Sequence, residues 1–324
     1  MPNLENLVIE THGLTKTYKG ANALQNLDLS VPRNSICGFL GPNGAGKSTT
    51  IKLLLGLSRP TSGSAKVFGL DSVRDSVAIR QRVGYLAQEP RYYEHMSARE
   101  TLRFAARFFY AGPRQAIEDR IAETLELVGL SDKADRPIKG FSGGEGQRLG
   151  IAQAQINYPD LLILDEPAAA LDPMGRRDVL AVLERLRKHT TIFYSTHLLE
   201  DVQRVSDMVV ILNHGQLVAR APIAELMADK DGITYALTVR GDGKSAQARL
   251  AQQAWVAGVT AGASNGTTAL QVRVTDAQTA ELELLRLVLS DADATITEFG
   301  RKKHNLEDVF LGIVEGDQAH GNQH

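Results

Sequence analysis

A glycine-rich loop between an apolar run and a helical run carries the clearest chemistry in the sequence. Residues 41–48 read Gly-Pro-Asn-Gly-Ala-Gly-Lys-Ser, the spacing G-x-x-x-x-G-K-[ST] of a phosphate-binding loop. Its glycines let backbone N–H groups turn toward phosphate oxygens, and the helix that follows adds its positive end. Lys47 would neutralise β- and γ-phosphate charge, and Ser48 would offer an oxygen to Mg²⁺. The loop therefore predicts a nucleoside triphosphate site.

Two acids at the end of a second apolar run complement this loop. Residues 161–164 are Leu-Leu-Ile-Leu, and Asp165 and Glu166 follow them. In nucleotide hydrolases with such a loop, an aspartate at a strand end holds Mg²⁺, and a neighbouring carboxylate can activate the attacking water as general base. Ordinary surface acids at a strand end are the alternative. The agreement of strand, acids and loop favours hydrolysis.

Short strands and helices alternate through the first two thirds of the chain, and these elements must position the acids and the loop. Ser97 with Glu100 three residues later predicts a helix that starts with a capping box, and apolar spacing predicts a helix over 117–128. We expect an α/β core with a helical insertion at about 97–158. Four short aliphatic runs are typical of strands covered on both faces: 35–40, 161–164, 191–195 and 208–212.

The composition changes near residues 229–232, Asp-Lys-Asp-Gly, and a second pattern begins there. Its order, β-α-β-β-α-β, is that of a split ferredoxin-like unit. The expected elements are strands at 233–240, 255–260, 267–274 and 293–299 and helices at 244–254 and 276–290. We therefore predict a nucleotide-binding domain over 1–228, a small α+β accessory domain over 229–314 that ends in a helix at 305–314, and a disordered polar tail over 315–324.

A motif between the loop and the acids makes the chain similar to the ABC ATPases. Residues 141–149, Phe-Ser-Gly-Gly-Glu-Gly-Gln-Arg-Leu, resemble the family's signature motif, ordinarily L-S-G-G-Q or F-S-G-G-M followed by a basic residue and Q-R. The resemblance covers residues 7–228 and implies a P-loop NTPase fold of the ABC ATPase type, with a mixed sheet core and a helical subdomain. Other matching elements stand in the family's order: the adenine-stacking aromatic Tyr18, the Q-loop glutamine Gln88, the D-loop at 170–173 and the switch histidine His197.

The resemblance implies ATP and Mg²⁺ as cofactors and assigns a role to each matching residue. The catalytic residues would be Lys47, Glu166 and His197. The residues that contact ATP would be Tyr18, Gly41, Pro42, Asn43, Gly44, Ala45, Gly46, Lys47, Ser48, Thr49 and Gln88. The metal would be held by Ser48, Gln88 and Asp165. The γ-phosphate on a second chain would meet the signature residues Ser142, Gly143, Gly144 and Glu145, beside Asp172 of the D-loop. Two chains would thus sandwich two ATP molecules.

Two stretches depart from the family's usual pattern. Glu145 stands where Gln or Met is usual, and Gly146 stands where a basic residue is usual. Glu145 can complete a capping box with Ser142, but its charge opposes a phosphate at the same helix end, so we expect it to weaken ATP-driven closure. Residues 168–170, Ala-Ala-Ala, lack hydroxyls usual beside the catalytic acid. Without these hydroxyls the sequence does not predict the hydrogen bonding of the D-loop or the rate of turnover. Glu166, the catalytic acid, is retained, so the sequence still predicts hydrolysis.

Charge and hydropathy restrict the partners of such an ATPase. The 324 residues carry 36 Lys and Arg against 38 Asp and Glu, a net charge of −2, so no bulk basic field attracts nucleic acid, which we do not expect as a partner. No apolar run approaches the ~18 residues of a membrane span. The single cysteine, Cys37, fits a reducing compartment. These features predict a chain that reaches a membrane only through another protein.

Within the family, the sequence resembles those of bacterial drug- and sodium-exporter ATPases. Their C-terminal domain commonly ends in a motif like Asn-Leu-Glu-Asp-Val-Phe, which is present here at 305–310. That resemblance implies a homodimer beneath separately encoded integral membrane permease subunits, at the cytoplasmic face of the membrane and cytosolic when free. One alternative is an importer ATPase with a regulatory C-terminal domain, which is usually all-β. Another is a soluble ABC ATPase acting on ribosomes or DNA, which usually carries two nucleotide domains.

Overall fold

The computed structural model describes residues 6–226, 233–240, 243–264, 266–290 and 295–301. They divide into two compact units, one before residue 227 and one after it. The predicted boundary at 228–229, the helix at 305–314 and the tail at 315–324 lie outside the described residues. In the described part of the chain, no helix combines the length and hydrophobicity that crossing a membrane requires.

The first unit holds eleven strands and eight α-helices among its described residues. The strands are Leu7–Tyr18 (β1), Ala21–Leu27 (β2), Ser30–Pro32 (β3), Ile36–Leu40 (β4), Ser62–Val67 (β5), Leu70–Asp71 (β6), Val83–Leu86 (β7), Leu161–Asp165 (β8), Thr191–Thr196 (β9), Met208–Asn213 (β10) and Gln216–Pro222 (β11). The helices are Lys47–Leu54 (α1), Ser76–Arg82 (α2), Ala98–Ala106 (α3), Arg114–Leu127 (α4), Gly143–Gln155 (α5), Pro173–Leu186 (α6), Leu199–Val205 (α7) and Ile223–Leu226 (α8).

The central sheet of this unit aligns the predicted chemistry along one edge. Its order is β11-β10-β4-β9-β8-β7, parallel except for β11. The four predicted strands are confirmed, and β4, β8 and β9 are buried along their whole length. Their carboxyl ends meet because Leu40 pairs with Thr196 and Asp165 pairs with Ser195. The phosphate loop, the two acids and His197 therefore emerge side by side.

An antiparallel sheet and a group of helices complete the first unit. The sheet runs β2-β1-β5-β6, and β3 also pairs with β1. The predicted capping box of Ser97 and Glu100 starts α3. Helices α3, α4 and α5 bury Leu102, Ile121 and Leu149 in one cluster, so apolar burial holds together the helical insertion that carries the signature motif.

The second unit has the predicted β-α-β-β-α-β order. Its sheet is antiparallel throughout and runs β13-β14-β12-β15, with the first predicted strand in the interior. Leu237, Leu250 and Leu284 are central to its core. Its elements are Ile233–Arg240 (β12), Lys244–Ala251 (α9), Val256–Ser264 (β13), Thr267–Val274 (β14), Ala277–Leu289 (α10) and Thr295–Arg301 (β15).

One boundary in this unit differs clearly from the sequence-based expectation. The sequence predicts that the strand starting at residue 255 ends at residue 260, before the small residues of 261–266, but β13 continues to Ser264. Ser264 pairs with Thr267, and Gly266 has a φ of 76° in the tight turn between the strands. Cross-strand pairing along β14 thus outweighs the weak strand propensity of Ala and Gly. Helix α9 also ends earlier than expected, at Ala251.

Candidate functional site

The phosphate loop joins β4 to α1 and leaves the helix N-terminus open to an anion. Gly46 is the N-cap at φ 105°, and among the described residues no side chain caps it. A Cβ on Gly46 would lie 2.5 Å from the Ala23 carbonyl oxygen, and one on Gly41 would lie 2.4 Å from that of Leu212. Only glycine fits these two positions. Because the first amides of a helix lack intrahelical acceptors, they are available to phosphate oxygens here.

A cavity of about 320 Å³ covers this helix end. Tyr18, predicted to stack on adenine, is not among the lining residues: it is 44% exposed, and Lys16 Nζ lies 4.8 Å from its ring centre. Gly41 does not line the cavity either, but its carbonyl oxygen accepts from Lys47. The cavity is lined by Ala23, Pro42, Asn43, Gly44, Ala45, Gly46, Lys47, Ser48, Thr49, Gln88 and Glu166.

Lys47 and Glu166 form a buried ion pair beneath this cavity. Lys47 is 6% exposed and Glu166 5% exposed, and Lys47 Nζ lies 3.2 Å from Glu166 Oε1. The same ammonium donates to the Gly41 carbonyl oxygen at 2.6 Å. Buried ions need partners of this kind because desolvation is costly. An incoming phosphate could replace the contacts of Lys47 with its own oxygens.

The two acids at the end of β8 are held by different partners. Glu166 has a φ of 50°, and its Oε2 lies 3.0 Å from Nδ1 of the partly exposed His197. The Ser195 hydroxyl donates to Asp165 Oδ1 at 2.6 Å and accepts from the Glu166 amide at 2.9 Å. Sequence reasoning gave Ser195 no role. Its importance comes from the pairing of β8 with β9, which no local pattern reveals.

Helix α5 begins at the signature motif, where side chains of the motif accept hydrogen bonds from backbone amides. Ser142 Oγ accepts from the Glu145 amide at 3.3 Å, and Glu145 Oε2 accepts from the Ser142 amide at 2.9 Å. The predicted capping box is therefore present. Lys133 Nζ contacts Glu145 Oε1 at 2.5 Å. Burial raises the pKa of Glu145, but the hydrogen bonds from Lys133 and the Ser142 amide outweigh burial and leave this pKa lowered.

Two of the predicted signature residues, Ser142 and Gly143, line a second groove within the first unit. This groove has a volume of about 440 Å³, and Ser142 and Gly143 line it together with Ala170 of the D-loop and Gln88. Gln88 also lines the cavity over the phosphate loop. Asp172 begins α6, where its Oδ1 accepts from the Gly175 amide at 3.0 Å. One chain therefore gathers the loop, the acids and His197, but it does not bring the signature into that cavity.

Comparison with known proteins decides the family. Residues 24–169 match the family described as ABC transporter. YxlF of Bacillus subtilis (strain 168), an uncharacterized ABC transporter ATP-binding protein, is 36% identical over 95% of this chain and 99% of its own length. The chain belongs to the ABC transporter ATP-binding protein family. ATP hydrolysis is the activity of this family of ATPases.

The names of two further relatives of this ABC ATPase mention specific antibiotics or drugs. The daunorubicin/doxorubicin resistance ATP-binding protein DrrA of Streptomyces peucetius is 34% identical over 94% of this chain and 92% of its own length. The bacitracin transport ATP-binding protein BcrA of Bacillus licheniformis is 39% identical over 68% of this chain and 71% of its own length. Both are named as ATP-binding proteins.

Solved structures agree with the fold of this ABC ATPase. CbiO1 from Clostridium perfringens, part of the ABC transporter complex cbiONQ, superposes with a TM-score of 0.64 at 28% identity and covers 69% of this chain and 92% of its own. A dimeric ATP-binding cassette bound to ADP and Pi has a TM-score of 0.60 at 24% identity, over 66% of this chain and 98% of its own. The second likeness shows the fold alone.

The donors predicted to hold Mg²⁺ in this ABC ATPase are of the right chemical kind. Ser48 offers a hydroxyl oxygen, Gln88 an amide oxygen and Asp165 a carboxylate, and Mg²⁺ prefers oxygen ligands. Ser48 and Gln88 line the same cavity. In the described ranges no cluster of three or more His, Cys, Asp and Glu offers a competing metal site. The oxygen donors present in the chain therefore fit a magnesium ion by their chemistry.

Proposed function

We propose that this chain is the ATPase subunit of an ABC exporter, in which two copies sandwich two molecules of Mg-ATP and drive separately encoded membrane permease subunits. The observation that carries the proposal is the contact of Lys47, Glu166 and His197 beside a phosphate loop. We infer that this cation, acid and histidine would surround the γ-phosphate of a bound ATP.

ATP binding follows from the geometry of α1. The phosphates would take the free amides at the start of the helix and the ammonium of Lys47, in exchange for its contact with Gly41. Ser48, Gln88 and Asp165 would hold Mg²⁺, which supplies positive charge next to the β- and γ-phosphates. Tyr18 does not line this cavity. Its stacking on adenine therefore remains a prediction, which substitution of Tyr18 and measurement of ATP binding would test.

Hydrolysis would use Glu166 as the general base. Its carboxylate is buried but lies within reach of the cavity that it lines, and Lys47 and His197 keep it in place. Glu166 would accept a proton from the water that attacks the γ-phosphate. His197 would contact the γ-phosphate through its partly exposed ring. Ser195 would hold the Asp165 carboxylate and the Glu166 amide in fixed positions relative to each other through its two hydrogen bonds.

A second copy would complete each site. Ser142 and Gly143 line a groove apart from the phosphate cavity, so within one chain they do not reach the bound phosphates. In a head-to-tail dimer the signature of one chain would cover the γ-phosphate held by the other.

Relatives and topology favour export over the two alternatives. DrrA is named for drug resistance and BcrA for bacitracin transport. The second unit is a split β-α-β-β-α-β unit rather than the all-β regulatory domain usual in importer ATPases. The near-neutral charge supports a protein partner rather than nucleic acid.

An exposed aromatic surface supports contact with a permease. It consists of Tyr93, Phe104, Phe108 and Phe109, all large and exposed, and Phe108 is 73% exposed. Phe104 and Phe108 pack edge to face at 5.3 Å between ring centres. Monomeric proteins rarely expose such contiguous apolar groups without a binding role. This aromatic surface follows Gln88 in the chain, and we propose that this part of the chain would pass the state of the nucleotide site to the permease.

The test is a Glu166→Gln variant. It should lose Mg-dependent ATP hydrolysis and still bind ATP in an equilibrium titration, because the amide keeps the shape but cannot accept the proton. Retained turnover would refute the assignment of Glu166. Co-expression with a candidate membrane permease tests the partner: Phe108→Asp should reduce co-purification, whereas Lys52→Met, a surface change on α1, should not.

A further inference from the structure

The signature helix α5 carries a negative charge where an anion is expected to bind. Glu145 is buried in its first turn, beside the Ser142 hydroxyl that would meet a γ-phosphate. An uncompensated carboxylate at this position would repel the phosphate and would cancel part of the favourable helix dipole. For this helix end to bind an anion, the charge of Glu145 has to be offset.

Lys133 supplies the offsetting charge from another element. It ends the short turn Ser131–Lys133 after α4, and its Nζ contacts Glu145 Oε1. The other carboxylate oxygen, Oε2, accepts from the Ser142 amide. Both oxygens of Glu145 are thereby engaged at the base of the helix, one by a cation and one by the backbone.

We propose that Lys133 is a positioning residue for the signature site: it neutralises Glu145 and holds it in the cap, so that the helix end can receive the γ-phosphate bound to a partner chain. The inference rests on the proposed function, since it requires the ATP sandwich.

The capping box divides the donors of this helix end into two groups. The amides of Ser142 and Glu145 are satisfied within the box. Gly143 and Gly144 contribute the other amides at the start of the helix, which have no intrahelical acceptor. The Ser142 hydroxyl accepts one hydrogen bond and still has its own hydrogen to donate. These three donors are what the Lys133–Glu145 pair leaves for a phosphate.

This pair revises the expectation for Glu145. The sequence predicts that its charge weakens closure, but that prediction treats the charge as unpaired. With Lys133 in contact, the unfavourable state is the one in which Lys133 is removed and Glu145 remains. Loss of Lys133 should therefore be more harmful than loss of Glu145.

The experiment measures ATP-driven dimerisation in the Glu166→Gln background, which prevents turnover. Sedimentation velocity gives the ATP concentration at half-maximal dimer. Lys133→Met should raise it about fivefold, the size of a charge effect at a helix end. Lys139→Met is the matched control, because it removes an exposed lysine from the turn before the signature, Ile138–Gly140, and it should shift the value by less than about twofold.

A double substitution provides the decisive comparison. Lys133→Met with Glu145→Gln should return the half-maximal ATP concentration to within about twofold of Glu145→Gln alone, because no unpaired charge remains. The defect of Lys133→Met should also shrink at high salt. A merely structural role for Lys133 predicts neither result. Lys133→Gln serves as the second single variant if Lys133→Met does not fold.

The possible failures are distinguishable. If the Glu166→Gln parent dimerises with ATP but Lys133→Met matches it, the role of Lys133 is overturned and the proposed function stands. If the double variant is as weak as Lys133→Met, charge compensation is likewise overturned. If the parent stays monomeric with saturating ATP, the sandwich itself is wrong, and the inference falls with it.

Discussion

The N-termini of α1 and α5 are both candidate phosphate sites, yet they are built in opposite ways. Helix α1 follows a left-handed Gly46, has no acid in its first turn and, in the part of the chain that the structure covers, has no side-chain cap. Helix α5 follows Ser142 and has a complete capping box with Glu145. One end leaves its amides to a ligand, whereas the other satisfies half of them internally.

The two helix ends indicate how one chain can hold one phosphate site that is always available and another that acts only with a second chain. The α1 end gains its anion contacts from the loop and the buried Lys47 of the same chain. The α5 end is stable without an anion because its cap and Lys133 satisfy it. We infer that α1 binds nucleotide in the monomer and that α5 contributes only when a second chain brings a phosphate to it.

The largest expected effect comes from removing the cation of the α1 site. Lys47→Met should lower kcat/KM for ATP at least about a hundredfold, because the phosphate loses a preorganised charge in a water-poor site. It also leaves Glu166 buried without its cation, which should lower the thermal stability. Steady-state hydrolysis and thermal melting measure the two effects.

The control for Lys47→Met is Lys52→Met on the exposed side of the same helix. It removes the same charge from α1 but leaves the cavity intact, so kcat/KM should change less than about threefold. Equal losses in both variants would contradict a specific role for Lys47 and would weaken the contrast between α1 and α5.

An effect of intermediate size is expected on folding stability, where alanine substitutions at one glycine of each helix should act in opposite directions. Gly46→Ala should destabilise the protein by ~2 kcal/mol or more, since φ is 105° and the added Cβ would meet the Ala23 carbonyl. Gly146→Ala should instead stabilise by ~0.5–1 kcal/mol, since no neighbouring atom lies within 4 Å of its added Cβ and alanine favours a helix. Thermal unfolding of both variants checks the opposite signs, and a shift of the same sign would break the comparison.

The smallest effect is a pH dependence confined to α5. The pKa of Glu145 is lowered from its ordinary value of 4.5, so the ionised form stabilises the folded state above that pH, and this contribution is lost as the pH falls through the lowered pKa. Glu145→Gln should therefore melt below the parent at neutral pH, and the gap should close in acid. Glu126→Gln, on the exposed side of α4, is the control. A constant gap down to acid pH would contradict the assignment.

Much of the fold follows from local sequence patterns. The runs that form β4, β8, β9 and β10 are short, aliphatic and bounded by turn residues, so their positions are predicted well. The weaker prediction is β13, where Ala and Gly have little strand propensity. There the pairing with β14 decides the conformation, and pairing depends on a neighbour that a local pattern does not include.

The candidate site divides in the same way. The phosphate loop, Asp165, Glu166 and the capping box of Ser142 are readable because each depends on residues within a few positions of one another. The order of motifs along the chain does not by itself give the position of Tyr18 at the site, since the structure places it outside the lining of the phosphate cavity. Whether it contacts adenine depends on the arrangement of loops around the nucleotide.

The residues that can bind a phosphate, activate water and start each helix are evident from the sequence, because those properties belong to side-chain chemistry and to spacings of one or two turns. Which of these residues act on one another depends on the tertiary fold. The contacts of Lys47 with Glu166, Ser195 with Asp165 and Lys133 with Glu145 join separate elements. Such contacts depend on the order of strands in the sheet and on helix packing, which long-range burial sets.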